Sequence, residues 1–254
     1  MSKVATPAPV QAPTQHIVSW SHSRAVDFEK CKFSAYLKYV QKVPEPVRPL
    51  PPGKTEHAND RGSRVHDMLE QFTSGNSDVF PSEARHFRTE MDAMSKLFAK
   101  GMVSLEEEWA FDQDWNPTDW KTGWLRMKLD ALVFLNEYEA VAIDFKTGRK
   151  FGNELKHMEQ LQLYQLACFL RYPKLEEVDV ELWYLDHDEL TRSHFRREQG
   201  LRFRQSWDRR GKAITTAAAF PPNANKFSCR WCPFGDPANG FPNGTGHCQA
   251  GRLG

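Results

Sequence analysis

Two carboxylates and one lysine stand in a pattern that suits phosphodiester hydrolysis. Asp144 and Lys146 are two positions apart in the apolar segment 142–148, and Asp130 begins another apolar run 14 positions upstream. Because side chains alternate faces along a β-strand, Asp144 and Lys146 share one face while Phe145 points to the other. Acids on neighbouring strands can hold a divalent cation, and a lysine beside them can position a water. A solvated strand face explains the same pattern without chemistry.

Three further side chains are candidates for the same site. His66 follows Gly62 by one helical turn, and neutral imidazole is a common ligand of transition metals. A hydrogen-bonded, half-buried histidine is the alternative interpretation. Gln160 and Tyr164 share a helix face because they are four positions apart, and their segment directly follows Lys146. They either reach phosphates or the lysine, or form only the polar edge of a core helix.

The C-terminal segment carries a candidate metal-binding set. Cys229 and Cys232 form a CxxC pair, and Cys248 follows after 15 intervening residues. A four-ligand site then lacks one ligand, and Cys31 or His247 could supply it. The intervening residues have many Gly and Pro and no apolar pattern, so we expect a bound metal to hold the segment in place.

A basic stretch from 192 to 212 is a candidate DNA contact. It holds eight Lys and Arg residues against two acids, with Phe195, Phe203 and Trp207 between them. Arginines would bind phosphates and an aromatic ring would stack on a base. A solvated helix face with aromatics buried behind it explains the composition equally well. The candidate DNA-binding residues are Arg192, Arg196, Arg197, Arg202 and Arg204.

Residue periodicity predicts the elements that must position these groups. Helices are expected over 23–42, 59–72, 81–99, 154–171 and 196–218. Strands are expected over 103–111, 124–135, 139–146 and 178–185, with the middle two as a hairpin. Polar turns are expected over 112–123 and 186–189, and a Pro-rich linker over 44–53. This order indicates one mixed α/β domain.

Composition limits the function classes. Net charge is +1, so affinity for nucleic acid must come from local patches. An odd number of cysteines, five, argues against a disulfide framework and favours metal ligation or burial, the latter for Cys168. No apolar run approaches the roughly 20 residues of a membrane span. We expect a disordered tail over 1–16 and a single domain over 17–254, divided into a helical part (17–100), an α/β core (101–220) and a Cys-rich segment (221–254).

Taken together, these features resemble the RecB-like branch of the PD-(D/E)XK nuclease superfamily. The resemblance extends from about Ser19 to Cys248. The family's motifs occur in order: Gly-x-x-x-His at Gly62 and His66, an acid after an apolar strand start at Asp130, Asp/Glu-x-Lys at Asp144 and Lys146, and Gln-x-x-x-Tyr at Gln160 and Tyr164. Each motif alone is weak, but their order is specific.

The resemblance implies a restriction-endonuclease-like core, in which helices flank a mixed central β-sheet, with N-terminal helices and a C-terminal Cys-rich segment. It implies a metal-dependent DNA exonuclease that acts in DNA recombination, repair or degradation. Mg²⁺ or Mn²⁺ would be bound by His66, Asp130, Asp144 and the Phe145 carbonyl, while Lys146 would orient water or stabilise the developing oxyanion. Gln160 and Tyr164 would hold the DNA strand, and an acid from 106–108, expected to be Glu108, would assist.

Many members of this family hold a 4Fe–4S cluster with one early and three late cysteines. The matching residues here are Cys31, Cys229, Cys232 and Cys248. The family's last two cysteines are usually closer in sequence, which leaves Zn²⁺ as the alternative occupant. No phosphate-binding Gly-x-x-x-x-Gly-Lys loop occurs, so a helicase or recombination protein would be supplied in trans.

Two other functions fit the same residues. One is a structure-specific endonuclease or nickase on the same core, because end preference depends on the shape of the DNA channel. The other is a non-catalytic DNA-binding accessory protein with a zinc or iron–sulfur staple. A compact stand-alone nuclease of this kind is expected in the cytoplasm of a prokaryote, or of the host cell if it is viral.

Overall fold

The computed structural model describes residues 16–148, 152, 154–229, 231–241 and 244–250. The chain divides into two compact units. The larger unit is Pro49–Arg209, and the smaller one combines the described residues up to Arg48 with those from Arg210 onward. Residues 1–15 of the expected tail lie outside the described residues, and the single domain over 17–254 stays a prediction.

A six-stranded mixed sheet forms the centre of the larger unit. Its strands are β1 Val103–Phe111, β2 Pro117–Thr118, β3 Leu125–Phe134, β4 Glu139–Lys146, β5 Glu177–Tyr184 and β6 Glu189–Arg196. The spatial order is β2-β1-β3-β4-β5-β6. Every neighbouring pair is antiparallel except β4 and β5, which run parallel. A parallel pair needs a crossover connection, and the helix between these two strands provides it.

The helices lie before, within and after this sheet in sequence. They are α1 His22–Lys30, α2 Lys32–Tyr39, α3 Ala58–Thr73, α4 Arg88–Phe98, α5 Glu154–Arg171, α6 Arg197–Leu201, α7 Arg204–Thr215 and α8 Lys226–Cys229, with 3₁₀ segments at Ser82–Phe87 and Pro237–Asn239. The α/β class and the helix-flanked mixed sheet predicted from sequence are confirmed. No helix in the described chain combines the length and apolar character needed to cross a bilayer.

Two of the predicted helices are interrupted. The helix expected over 23–42 ends at Lys30 and restarts at Lys32, because Cys31 is extended (φ −161°, ψ 109°) and serves as the cap of both pieces. The helix expected over 81–99 begins as a 3₁₀ segment and becomes α-helical only at Arg88. Helical periodicity located both regions correctly but carried no signal for the breaks.

The basic segment was wrongly assigned to a single helix over 196–218. Residues 189–196 form the edge strand β6, and the helix that follows is divided into α6 and α7. Along β6 every second residue is exposed, and the positions between are only half-buried. Since Thr191 and Ser193 occupy two of these half-buried positions, the strand lacks the apolar alternation by which β-structure is recognised.

One apolar cluster holds α3 and α4 against the sheet. The rings of Phe87 and Trp183 stack with centroids 4.9 Å apart, and Phe145 meets Trp183 edge-on at 5.7 Å. Val65 and Leu69 of α3 are fully buried in the same cluster. Burial of each such side chain contributes about 1.5–3 kcal/mol, which fixes the rotation of α3 about its axis.

The helix α6 packs closely on α5 through a glycine. A Cβ atom at Gly200 would lie 1.9 Å from Gln165 Oε1 and 2.5 Å from Phe169 Cε2. We expect Gly200→Ala to lower the free energy of unfolding by about 1–3 kcal/mol, because a buried methyl group forces both neighbours to move. Urea denaturation measures this change. Gly148→Ala is the matched control, since a Cβ there meets no atom within 4 Å, and equal effects of the two substitutions would contradict the packing argument.

The smaller unit joins the two N-terminal helices to the C-terminal segment. Ser228 Oγ donates a hydrogen bond to the Lys30 carbonyl at 3.1 Å, and the rings of Tyr36 and Phe220 lie 4.9 Å apart. Cys31, at the break between α1 and α2, therefore lies beside the segment that carries the other candidate cysteines.

Candidate active site

Strand β4 separates the polar groups of the site from the apolar core, as the alternation predicted. Ile143 and Phe145 are buried in the cluster under α3. Asp144 and Lys146 face the other way and form an ion pair, with the Asp144 side chain only 4% exposed. A carboxylate buried this deeply needs a cation beside it, and Lys146 supplies one.

Asp130 lies on the neighbouring strand β3, close to Asp144. Its Oδ2 accepts a hydrogen bond from the Phe145 backbone N–H at 2.6 Å. Burial raises the pKa of Asp130, and the nearby Asp144 charge raises it further, to about 6. Two carboxylates this close repel each other when both are charged, so a cation bound beside them would stabilise the charged pair.

His66 approaches these acids from α3. Its Nε2 lies 3.0 Å from the Phe145 carbonyl, which can only accept, so Nε2 is the donor of this bond. Its Nδ1 lies 3.4 Å from Asp130 Oδ1 and 3.6 Å from Glu106 Oε1. Burial lowers the pKa of His66, but hydrogen bonds with Asp130 and Glu106 outweigh burial and raise the pKa to about 10. The second ring nitrogen thus faces two carboxylates.

Glu106, rather than the expected Glu108, is the glutamate at this site. Glu106 has a left-handed backbone (φ 51°), which is uncommon outside glycine, whereas Glu108 is exposed. Burial raises the pKa of Glu106, but hydrogen bonds from His66 and Lys128 outweigh it, and the pKa is lowered. The choice among the three consecutive glutamates could not be made from sequence, because it depends on the left-handed backbone at Glu106.

The donor set fits a divalent cation. One ligand atom each from His66, Glu106 and Asp130 lies within 4.8 Å of the others. Carboxylate oxygens suit Mg²⁺ and Mn²⁺, and an imidazole shifts the preference toward Mn²⁺. The His66 bond to a backbone carbonyl also matches metal-binding histidines, which usually donate their other ring N–H to such a group.

Gln160 and Tyr164 bind the Asp144–Lys146 pair from α5. Lys146 Nζ donates to Gln160 Oε1 at 3.0 Å, and Gln160 Nε2 donates to Asp144 Oδ1 at 3.0 Å. Nε2 also donates to the Tyr164 hydroxyl at 2.6 Å, and that hydroxyl lies 3.1 Å from Asp144 Oδ1. The Gln160 amide oxygen faces Lys146 and the amide nitrogen faces Asp144, so the charges of these two residues fix the orientation of the amide.

We expect Gln160→Glu to reduce catalytic turnover at this candidate site by about 10- to 100-fold. The substitution keeps the shape of the side chain, but it replaces a donor to Asp144 with a second negative charge. Steady-state rates measure the loss. Gln162→Glu is the matched control, because two positions along a helix place the new charge on a different face. Equal losses in both variants would show that added charge on α5, rather than the contact with Asp144, causes the effect.

Arg61, which no sequence motif singles out, anchors the chain just after Lys146. Its guanidinium donates to the Thr147 carbonyl at 2.9 Å and forms a two-pronged ion pair with Asp186 at 2.7 and 2.8 Å. Gly62 lies next to it, and a Cβ there would be in ordinary contact with Thr147 Oγ1 at 3.5 Å. The N-terminal turn of α3 is thereby joined to the end of β4.

The predicted DNA-binding arginines have partners within the protein. Arg192 is paired with Asp179 and lies 3.7 Å from Glu181, while Arg196 lies 3.5 Å from Glu177. These contacts follow from the β5–β6 register, which places each arginine opposite an acid. Both arginines lie on the strand β6, so the expected helical strip does not include them.

The remaining three arginines also contact protein groups. Arg197 donates to the Phe169 carbonyl in α5 and to the Leu175 carbonyl in the loop after it, both at 2.8 Å, which is a structural role. Arg202 pairs with Glu198 four positions earlier, and Arg204 donates to the Asp114 carbonyl at 2.8 Å. Their use in DNA binding stays a prediction.

The four candidate cysteines line one recess of the smaller unit. They are Cys31, Cys229, Cys232 and Cys248, and all are free thiols. Burial raises the pKa of Cys232, with smaller contributions from Cys248 and Cys31, so these thiols are electrostatic neighbours. The alternative ligand His247 is exposed and its Nδ1 lies 2.8 Å from Thr245 Oγ1. Cys168 is buried in α5, as expected for a core residue.

Comparison with known proteins identifies the family. Residues 19–236 match a model of the PD-(D/E)XK nuclease superfamily. No curated protein matches the chain significantly. Similar solved structures are SSO0001 (13% identity, 87% of this chain and 85% of that one, TM-score 0.45) and a candidate exonuclease from Eubacterium rectale (14%, 85% and 87%, 0.45). An alkaline exonuclease from Laribacter hongkongensis is 15% identical over 78% of this chain and 87% of that one, with a TM-score of 0.31.

These structural likenesses are distant and carry no further conclusion. The family match is different in kind, because it covers most of the sequence and includes every residue of the polar site on β3, β4, α3 and α5. On that basis the chain belongs to the PD-(D/E)XK nuclease superfamily.

Proposed function

We propose that this protein is a metal-dependent deoxyribonuclease that degrades DNA from its ends. The observation that carries the proposal is the meeting of His66, Glu106 and Asp130 beside the Asp144–Lys146 pair. Membership of a nuclease superfamily supports hydrolysis of a phosphodiester bond, and the paired carboxylates and lysine supply the groups such a reaction needs.

The metal site would be formed by His66, Asp130 and Asp144, with Glu106 as an additional oxygen donor. When bound, Mg²⁺ or Mn²⁺ would lower the pKa of a water and offset negative charge on the phosphate. The Phe145 carbonyl, predicted as a further ligand, also accepts the His66 Nε2–H bond and would orient that ring.

Lys146 and its partners on α5 would serve the reacting phosphate. The ammonium of Lys146 is held between Asp144 and Gln160, which keeps it charged and fixed in place. A fixed ammonium can orient the attacking water or stabilise the charge that develops on the phosphate oxygens. Gln160 and Tyr164 would maintain this arrangement, in addition to any contact with the DNA strand.

Incubation of end-labelled linear DNA and covalently closed circular DNA with Mg²⁺, Mn²⁺ or EDTA tests the proposal. We expect release of labelled nucleotides from the linear substrate, no loss of the circle, and no cleavage in EDTA. Nicking or linearisation of the circle would favour the endonuclease alternative. DNA binding without cleavage at any metal concentration would favour the accessory-protein alternative.

We further propose that the four-cysteine recess holds a 4Fe–4S cluster. The recess is lined by all four thiols, one from before and three from after the α/β core, which is the set expected for such a cluster. Zn²⁺ is the alternative that metal analysis distinguishes.

The biological setting belongs to the same proposal. DNA would be the partner, and a helicase or recombination protein would act in trans to unwind or deliver it. The five free cysteines fit a reducing compartment such as the cytoplasm, where recombination, repair and degradation of DNA take place. Co-purification with a DNA-unwinding protein would support the role in trans.

A further inference from the structure

A second lysine, Lys128, contacts the site from β3. It lies two positions before Asp130, so both side chains are on the same face of the strand. Its Nζ lies 2.6 Å from Glu106 Oε2, and its side chain is 51% exposed. The two oxygens of Glu106 therefore have different partners: Oε2 contacts the ammonium of Lys128, and Oε1 lies 3.6 Å from His66 Nδ1.

Lys128 lies among several acids. The hydrogen bond that Lys128 donates to Glu106 is the largest cause that raises the pKa of Lys128, and the charges of Glu70 and Glu108 add to it. These carboxylates are oxygen donors of the kind that a second divalent ion would require. The ammonium of Lys128 is already bound to the nearest of them.

The charges of the site agree with the presence of one divalent ion. Glu106, Asp130 and Asp144 contribute three negative charges, and Lys128 and Lys146 contribute two positive charges. His66 must release its proton to bind a metal, and with the imidazole neutral these groups carry one net negative charge. One divalent cation changes this to one net positive charge, which matches the single negative charge of a phosphodiester group.

We propose that Lys128 serves as a built-in cation in place of a second metal ion, so that the active site binds one divalent ion per chain. The inference rests on the proposed metal-dependent nuclease function. Lys128 acts through Glu106, whose Oε2 it keeps from a second ion, and it is therefore a positioning residue. Removal of its charge should free Glu106 Oε2 to bind another divalent ion.

Titration of the full-length protein with Mn²⁺ tests this stoichiometry without reference to cleavage. Isothermal calorimetry and the loss of free-Mn²⁺ electron paramagnetic resonance signal both count bound ions. We expect one Mn²⁺ per chain for the wild type, two for Lys128→Met, and one for Lys128→Arg, which restores the charge. Lys174→Met is the matched control, because Lys174 also pairs with a glutamate, at 3.0 Å, but lies outside the site; it should bind one ion.

The possible results are distinguishable from one another. Two ions bound to the wild type, or one ion bound to a folded Lys128→Met variant, would overturn the inference and leave the proposed nuclease function standing. A wild type that binds no divalent ion would overturn the metal-dependent function and the inference together. Circular dichroism of each variant establishes that it is folded, and Lys128→Gln, which also lacks the charge and should bind two ions, provides a second reading if Lys128→Met is unstable.

Discussion

Asparagine in place of Asp144 is expected to reduce DNA cleavage by at least about 10³-fold, the largest effect of any single change at the site. The substitution preserves the side-chain volume and an oxygen that can accept from Gln160 and Tyr164. It removes the charge that binds Lys146 and that would bind the metal. Initial rates on end-labelled linear DNA measure the loss, and the thermal melting curve should change little because the local hydrogen bonds remain.

Asp92→Asn controls for the loss of an aspartate elsewhere. Asp92 forms an exposed pair with Arg88 on α4, so its replacement should leave both cleavage and melting unchanged. Lys146→Ala should reproduce the catalytic loss, because it removes the other member of the buried pair. Cleavage within tenfold of wild type by folded Asp144→Asn protein would exclude the assigned metal site.

The second large effect is expected at the cysteine recess. If the proposed cluster is present, Cys229→Ser should yield protein without the iron, sulfide and brown colour expected of the wild type, and should lower the melting temperature of the smaller unit by at least about 5 °C. The reason is that the segment after Pro233 has few apolar side chains with which to hold itself in place. Metal analysis and scanning calorimetry measure the two changes.

Cys168→Ala is the control for this experiment. Cys168 is fully buried in α5, and burial raises the pKa of its thiol, so it is an inert packing residue that should not affect metal content. If the wild type contains zinc and no iron, the recess holds Zn²⁺ and the proposed 4Fe–4S cluster is wrong. Unchanged metal content and melting in Cys229→Ser would exclude both forms of the staple.

The central part of the fold was predictable from sequence because its strands bury both faces or one whole face. Strands β1, β3, β4 and β5 and the helix α5 begin and end within one residue of the predicted bounds. The strand β6 was missed because Thr191 and Ser193 carry no apolar signal, and the two-residue β2 is too short to show a period. The break at Cys31 depends on contacts made by residues far away in sequence.

The candidate site was predictable to a similar extent. Motif order selected Asp130, Asp144 and Lys146, which the structure places on adjacent strands, and alternation assigned Phe145 to the core. The choice of Glu106 over Glu108 depends on the left-handed backbone at Glu106, which the neighbouring residue types do not indicate. The partners of the arginines depend on strand register.

The partners in long-range ion pairs also cannot be predicted from the sequence. The contact of Arg61 with Asp186 joins groups 125 positions apart. Neither residue lies in a recognised motif, and either could pair with many opposite charges in the chain. Only the packing of α3 against the sheet determines which partner each one meets.

Phe145 belongs both to the apolar interior, through its ring, and to the candidate site, through its backbone. Its ring packs edge-on against Trp183 and lies 5.9 Å from the His66 ring, while its amide and carbonyl hold Asp130 and His66. A change that loosens the interior around this ring displaces two donors of the site at the same time. Unfolding of the interior around this ring and loss of the arrangement of Asp130 and His66 should therefore occur together on heating.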